Sequence, residues 1–390
     1  MTLGSRWYKT QAEKDKRGIM PVLYMTVGPE ECGKTTWIKD FLLVKNKKPI
    51  AHIQPKIIGK LKHIDVFAED VRLRKDIIID STNESERQRS KYIDVARSAG
   101  YRIVCYVFQH AINTNQQFKA SLDKPNSSEF HEIINVARPA RILDLRNVIK
   151  DQRYVVVGDI HGCLDELLDL MDNLKLDLSK EFLICTGDLV DRGPNSLGTV
   201  NFFAKTPNVF SVEGNHDSKF RRWLLGSNVK MTHGIDATIK EFNAAFVENP
   251  NVRDESIQYF LSLPQLIRLP DLNGKPQYVV HAGIDADYPM TVQKYEHALY
   301  ARFLGGKDFF DESGYVWYSK LKGPEIIMCG HIVHENARPN DHVICLDGGA
   351  VHGNVLRSVV NGTDIVEIKA RQCYHGQVQR EDGNYFKRSE

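Results

Sequence analysis

The chain has 390 residues, 42% of them hydrophobic and 26% charged, an ordinary globular composition that predicts roughly two to three domains of about 150 residues each. That composition excludes disorder, collagen-like repeats and a disulfide scaffold. The net charge of +2 is a cancellation: residues 1–150 hold 27 Lys+Arg against 17 Asp+Glu, a balance of +10, and residues 151–390 hold 25 against 33, a balance of −8.

Such a split fits two domains with different partners, one facing anions and one rich in metal-binding carboxylates; scatter of surface charge is the bland alternative. Histidine follows the same division, with four of fourteen before residue 151, and imidazole is a common metal ligand. The seven cysteines are widely spaced and never form CxxC, so neither a disulfide framework nor a zinc ribbon is indicated. Met1 to Met20 is charged throughout and no apolar run approaches a membrane span, so no membrane is expected and the cytoplasm is the expected location.

Val22, Leu23, Met25 and Val27 form a short apolar run closed by Gly28, which predicts a buried strand. Residues 28–36 then read Gly-Pro-Glu-Glu-Cys-Gly-Lys-Thr-Thr, the phosphate-loop pattern in the context it requires, after a strand and opening a helix. In such a loop the amides of Gly28 to Gly33 and the helix N-terminus surround phosphates. Lys34 neutralises the outer phosphates, and Thr35, followed by Thr36, offers a hydroxyl to Mg²⁺. Trp37, Ile38, Phe41 and Leu42 lie on one face of that helix, which ends at the basic run before Pro49.

Ile77-Ile78-Ile79 is a second apolar strand and ends at Asp80, placed to hold the same ion through water. ATP with Mg²⁺ is therefore the expected cofactor of this half. A helix over Arg87 to Ala99 and a strand over Tyr101 to Phe108 continue an alternation that implies a parallel sheet. Residues 112–130 are polar and suit a mobile lid or a solvated loop. The pattern becomes short and charged from Pro139 to Gln152, so the domain boundary is expected near 150.

Residues 76–89, DIIIDSTNESERQR, with the helix and strand after them, resemble the D-[ST]-T-N and Arg element of phage and bacterial polynucleotide 5′-hydroxyl kinases. The resemblance covers roughly residues 20 to 145 and implies that Arg89, or else Arg87, contacts the ATP phosphates. That family also carries an Asp base after the second strand, where this chain reads Ala51-His-Ile-Gln-Pro-Lys56. Asp65 and Asp70 are the nearby substitutes.

The second half adds strands over Tyr154 to Val157, Phe182 to Cys185, Tyr278 to Val280, Ile326 to Cys329 and Val343 to Leu346, each ending in Gly, Asp or His. At those ends lie Gly158-Asp159-Ile-His161-Gly162, Gly187-Asp188-Leu-Val-Asp191-Arg192-Gly193, Gly214-Asn215-His216-Asp217, His281-Ala-Gly and Gly330-His331-Ile-Val-His334. Two divalent ions close together need hard oxygen and imidazole ligands with one bridging carboxylate, and these blocks supply those residue types.

The five blocks resemble, in order, the motifs of the calcineurin-like metallophosphoesterase superfamily across 154–350. The resemblance makes Asp188 the bridge. Asp159 and His161 complete one metal's shell, and Asn215, His281 and His331 bind the other. His216, held by Asp191, would protonate the leaving oxygen, and Arg192 would bind phosphate. His334 and His233 have no firm role; His334 stands one position later than in the GHxH variant.

The expected fold is α/β: a P-loop kinase parallel sheet over 1–150, a calcineurin-like metallophosphoesterase sandwich over 151–365 and a polar C-terminal segment over 366–390. The fusion resembles the bifunctional end-healing enzymes of RNA repair. It implies a polynucleotide kinase-phosphatase acting on RNA or DNA ends, with two metal ions, Mn²⁺ foremost, in the phosphatase site and a ligase as a separate partner. One alternative is a phosphoprotein or dinucleoside tetraphosphate phosphatase whose ATP-binding domain is regulatory or inactive. Another is a nucleic-acid binding module with an ATP-dependent switch.

Overall fold

The structure is a computed structural model and describes residues 20–30, 32–46, 49–59, 62–108, 122–301, 310–311, 314–315 and 317–376. The chain divides into two compact units: Met1–Pro139 with Tyr288–Lys294, and Ala140–Asp287 with Tyr295–Glu390.

In the first unit β1 (Val22–Val27), β2 (Ile50–Ile53), β3 (Asp76–Ile79), β4 (Arg102–Phe108) and β5 (Glu132–Val136) form a sheet in the order β2-β3-β1-β4-β5, and every pair is parallel. A parallel sheet covered on both faces needs continuously apolar central strands, and all six residues of β1 are buried. Leu23, Met25 and Val27 pack with Ile77, Ile79 and Ile103 against Phe67, Tyr92, Ile93 and Ala96. The alternate residues Val22 and Tyr24 face Trp37, Ile38 and Leu42. The helix after Gly33 runs over Lys34–Trp37 and widens into a π-helical turn over Ile38–Leu42. Of the polar segment expected over 112–130, residues 112–121 lie outside the described residues.

The second unit holds two five-stranded sheets. β6 (Ile142–Asp144), β10 (Leu266–Leu272), β11 (Lys275–Val280), β14 (Ile326–Cys329) and β15 (Val343–Cys345) form one in the order β15-β14-β11-β10-β6. The other contains β7 (Tyr154–Val157), β8 (Phe182–Cys185), β9 (Val209–Ser211), β16 (Val355–Val360) and β17 (Asp364–Lys369) in the order β17-β16-β7-β8-β9. A short ribbon of β12 (Phe310–Asp311) and β13 (Gly314–Tyr315) stands apart from them. Side chains alternate across each strand, so Tyr154 and Val156 join Ile184, Ile267, Val279, Met328 and Ile344 in one core. Val155 and Val157 join Leu183, Leu167 and Phe220 in another.

Two expected boundaries are corrected. The units part at Pro139 rather than near 150, because β6 pairs in parallel with Leu266 to Arg268 of β10. The short charged stretch that suggested a linker thus holds an edge strand followed by a helical turn over Arg146–Ile149. The C-terminal segment is not a polar tail from 366: Asp364–Lys369 pairs antiparallel along all of β16, and its polar residues reflect an edge strand with one exposed face. Tyr288–Lys294 returns to the first unit, where Tyr288 stacks on Phe41 at 4.7 Å and Val292 joins the Trp37 cluster. No helix among the described residues is long and apolar enough to cross a membrane.

Candidate metal centre and phosphate loop

Asp159 follows β7, Asp188 follows β8, His281 follows β11 and His331 follows β14, while Asn215 and His216 open the helix Asn215–Leu224. The strands deliver these side chains to one place because their connecting turns are sharp. His161, Asp188, Asp191, Arg192 and His331 all have positive φ, from 49° to 75°, a conformation that costs bulky residues energy and clusters at functional sites. The packing leaves no slack: a Cβ on Gly330 would lie 1.9 Å from Asp159 Oδ1.

Two groups of buried side chains converge, each with its candidate ligand atoms within 4.8 Å of one another: His161, Asp188 and His216, and Asp188, His281 and His331. Asp188 is common to both. Its Oδ2 lies 3.5 Å from His161 Nε2 and its Oδ1 lies 3.5 Å from His281 Nε2. Asp159 Oδ2 accepts the His331 amide at 2.9 Å. The sequence-derived metal set of Asp159, His161, Asp188, Asn215, His281 and His331 is therefore gathered in one centre.

The tautomers test whether a cation fits. His161 Nδ1 donates to the Val190 carbonyl at 2.8 Å and His281 Nδ1 donates to the Thr186 carbonyl at 2.9 Å, so both Nε2 lone pairs are directed inward. His281 Nε2 faces Asn215 Oδ1 at 2.8 Å, an atom that also lies 2.8 Å from His331 Nδ1. Lone pairs of Asp188, His281 and Asn215 that face one another are the donor set of a divalent cation. Burial, then the charges of Asp347 and Asp188, pushes the Asp159 carboxyl well above its ordinary range; burial and Asp217 do the same to Asp188. Carboxylates crowded in this way stay ionised when a cation neutralises them.

Beside this centre His216 Nδ1 donates to Asp191 Oδ2 at 2.6 Å, and Thr238 Oγ1 donates to Asp191 Oδ1 at 2.7 Å. Burial raises the Asp191 carboxyl to about 7 and, with nearby His161 and Arg192, pushes the His216 imidazole well down. Arg192 Nη1 donates to His161 Nε2 at 3.0 Å. His334 belongs to neither converging group; its Nδ1 accepts the Asn336 amide.

Sequence reasoning gave no role to several residues that build the centre. Asp217 accepts the amides of Asp188, Leu189 and Gly214, each at 2.9 Å, and so fixes the Asp188 turn against the helix N-terminus. Its signal was the third helical position after Gly214. Thr186 Oγ1 donates to Asp159 Oδ1 at 2.8 Å. Asp347 is buried after β15, and a metal-binding residue type just past an apolar strand is the pattern shared by the other blocks. Thr238 carried no signal, since it comes from a helix well along the chain.

In the first unit Gly33 is left-handed at φ 84° and caps the helix. Lys34 Nζ donates to the carbonyls of Gly28, at 3.0 Å, and Pro29. Thr35 Oγ1 donates to Asp80 Oδ2 at 2.7 Å, and His52 and Gln54 approach the same oxygen at 3.1 and 3.0 Å. Thr36 is exposed on the helix. Burial alone would raise the Asp80 carboxyl, but the bonds from His52, Thr35 and Gln54 hold it below its ordinary value.

The expectation that Arg89 contacts phosphates is corrected. Arg89 is 0% exposed; its Nε and Nη2 bond both Glu129 oxygens at 2.7 and 2.8 Å, and Nη1 bonds the carbonyls of Asn83 and Asp123. Every donor group is spent on holding residues 123–129 to the helix Glu86–Ser98. Removing one partner of a buried pair strands the other charge, so Arg89→Ala is expected to destabilise the first unit by about 3–5 kcal/mol, read as a lower unfolding midpoint. Arg87 is exposed. Asp70 is tied to Lys75 at 2.6 Å and Asp65 faces solvent, so neither stands as a base.

Residues 152–357 match the family model described as calcineurin-like phosphoesterase. The chain is 31% identical over 251 residues to the asymmetrical bis(5′-nucleosyl)-tetraphosphatase PrpE of Bacillus velezensis, covering 59% of this chain and 97% of that protein. A likeness of 31% over 225 residues joins it to the corresponding protein of Bacillus thuringiensis, covering 53% of this chain and 89% of that protein. The protein of the same name in Halalkalibacterium halodurans is 29% identical over 242 residues, covering 56% and 95%.

Proposed function

The chain belongs to the calcineurin-like phosphoesterase family, and from that premise we propose that it hydrolyses a dinucleoside tetraphosphate off centre, giving a nucleoside triphosphate and a nucleoside monophosphate. The observation that carries the reading is the buried centre shared by Asp188, together with relatives of that printed activity matched along nearly their whole length. Two divalent ions, Mn²⁺ foremost, would be held by Asp159, His161 and Asp188 on one side and Asp188, Asn215, His281 and His331 on the other. When bound, they supply Lewis-acid activation of water and of the phosphoryl group.

The chain's own residues do the rest. Arg192 neutralises the phosphate that is attacked, and Asp191 orients His216, which gives a proton to the leaving oxygen as the P–O bond breaks. The phosphate loop, with Lys34, Thr35 and Asp80, binds a nucleoside triphosphate with Mg²⁺ and acts as the regulatory half. A second reading, end-healing with a 5′-hydroxyl kinase, is favoured by the Thr35–Asp80 pair; the burial of Arg89 removes one of its parts.

Diadenosine tetraphosphate, a 3′-phosphorylated oligonucleotide and a phosphopeptide compared side by side with Mn²⁺ test the assignment. The tetraphosphate is expected to give the highest kcat/KM and to yield ATP and AMP; faster release from either of the others overturns it. Lys34→Ala is expected to abolish ATP binding while hydrolysis continues. Transfer of labelled phosphate from ATP to a 5′-hydroxyl oligonucleotide would restore the second reading.

A further inference from the structure

We propose that His233, together with Lys219, forms a recognition edge for the phosphates of the leaving group, so that the site prefers a chain of phosphates to a single one. The proposal rests on the tetraphosphate reading for its biological substrate but not for its test. No role within the metal centre accounts for His233, and its backbone is the first clue. It stands at φ 63° with its side chain exposed. A bulky residue in that conformation costs energy, and an exposed one gains no core packing in return.

The loop around it is fixed from both sides. Lys219, one turn beyond His216 on the helix Asn215–Leu224, sends Nζ to Thr232, 2.8 Å from its carbonyl and 3.1 Å from its hydroxyl. On the other side Gly234, at φ 86°, is pressed on the Arg192 backbone so closely that a Cβ would lie 2.6 Å from Arg192 N. The helix Ile235–Glu248 begins there and carries Thr238, the residue bonded to Asp191. The imidazole of His233 is thereby held with its ring centre 6.4 Å from that of His216. Lys219 is tied to the residue before His233 and the Arg192 backbone lies against the residue after it; burial, then the charges of Lys219 and Arg192, lowers the His233 pKa.

His233 and Lys219 thus stand beside His216, the acid that protonates the leaving oxygen. Phosphates beyond the scissile bond lie on the leaving-group side by the geometry of in-line displacement, and donors there bind them without touching the reacting phosphorus. A single phosphate does not extend so far. Lys219 also serves the loop through Thr232, so His233 is the side chain whose removal reports the edge.

The test is competitive inhibition of aryl phosphate hydrolysis with free Mn²⁺ buffered, using inorganic tripolyphosphate and orthophosphate as probes. In His233→Ala, the inhibition constant for tripolyphosphate is expected to rise about tenfold, the loss of one charged hydrogen bond, and that for orthophosphate to rise by less than about twofold. His233→Asn tolerates positive φ and keeps the loop in place, and it should give the same selective loss. Equal rises for the two anions in His233→Asn, or no rise for tripolyphosphate, overturn the edge. If the wild-type protein fails to cleave diadenosine tetraphosphate while the selective loss is seen, the substrate reading falls and the edge stands.

Discussion

Asp188→Asn is expected to lower Mn²⁺-dependent phosphatase turnover by roughly 10³-fold or more, since the metal ions supply several kcal/mol of barrier lowering and each 1.4 kcal/mol is tenfold. Asp188 is the one side chain common to both converging groups, with an oxygen 3.5 Å from His161 on one side and from His281 on the other. The stability effect runs in the opposite direction. A carboxyl whose folded-state value is raised favours folding less as pH climbs from its unfolded value toward its folded one. At neutral pH the metal-free wild type therefore bears a stability cost at this buried carboxyl, made worse by Asp217. The metal-free variant should melt no lower than the metal-free wild type. Mn²⁺ should raise the midpoint of the wild type by mass action and leave the variant almost unmoved. Turnover above a tenth of wild type, or an equal Mn²⁺ shift in both proteins, would take the bridging role away from Asp188.

The metal centre was legible because its chemistry sits at the ends of apolar strands. Asp159, Asp188, His281 and His331 each follow a run that reads as β structure from composition, and the turn between strand and site is short enough to be seen as one motif. What remained hidden depends on partners distant in sequence. Arg89 looked like a phosphate contact by its resemblance to the kinase element, and Glu129, 40 residues on, makes it a buried structural cation. Thr238 orients Asp191 from 47 residues away. The same limit applies to β6 and Tyr288–Lys294. Strand pairing with Leu266 and stacking on Phe41 decide where those segments belong, and no local pattern carries that information. Charge and histidine counts did reflect the two units, although the unit boundary follows hydrogen bonding and not composition.

His216→Asn gives the other large effect, and its size depends on what leaves. His216 donates through Nδ1 to Asp191, itself fixed by Thr238, so Nε2 is the nitrogen that takes up a proton and then delivers it to the departing oxygen. For an alkyl phosphate the departing oxygen is a strong base, and losing the acid is expected to lower kcat by roughly 10²–10⁴-fold. For a tetraphosphate the departing oxygen belongs to a phosphate with a second pKa of about 6, which needs little protonation, and the loss should be at least tenfold smaller on the same Brønsted argument. An enzyme shaped for sugar hydroxyl leaving groups, as in removal of a 3′-phosphate, would show the full loss on its own substrate. The ratio of the two effects, measured by kcat on glycerol phosphate and on diadenosine tetraphosphate, therefore reports which leaving group the dyad serves. Equal losses would mean that His216 binds phosphate or metal in both reactions and that proton transfer to the leaving oxygen comes from elsewhere.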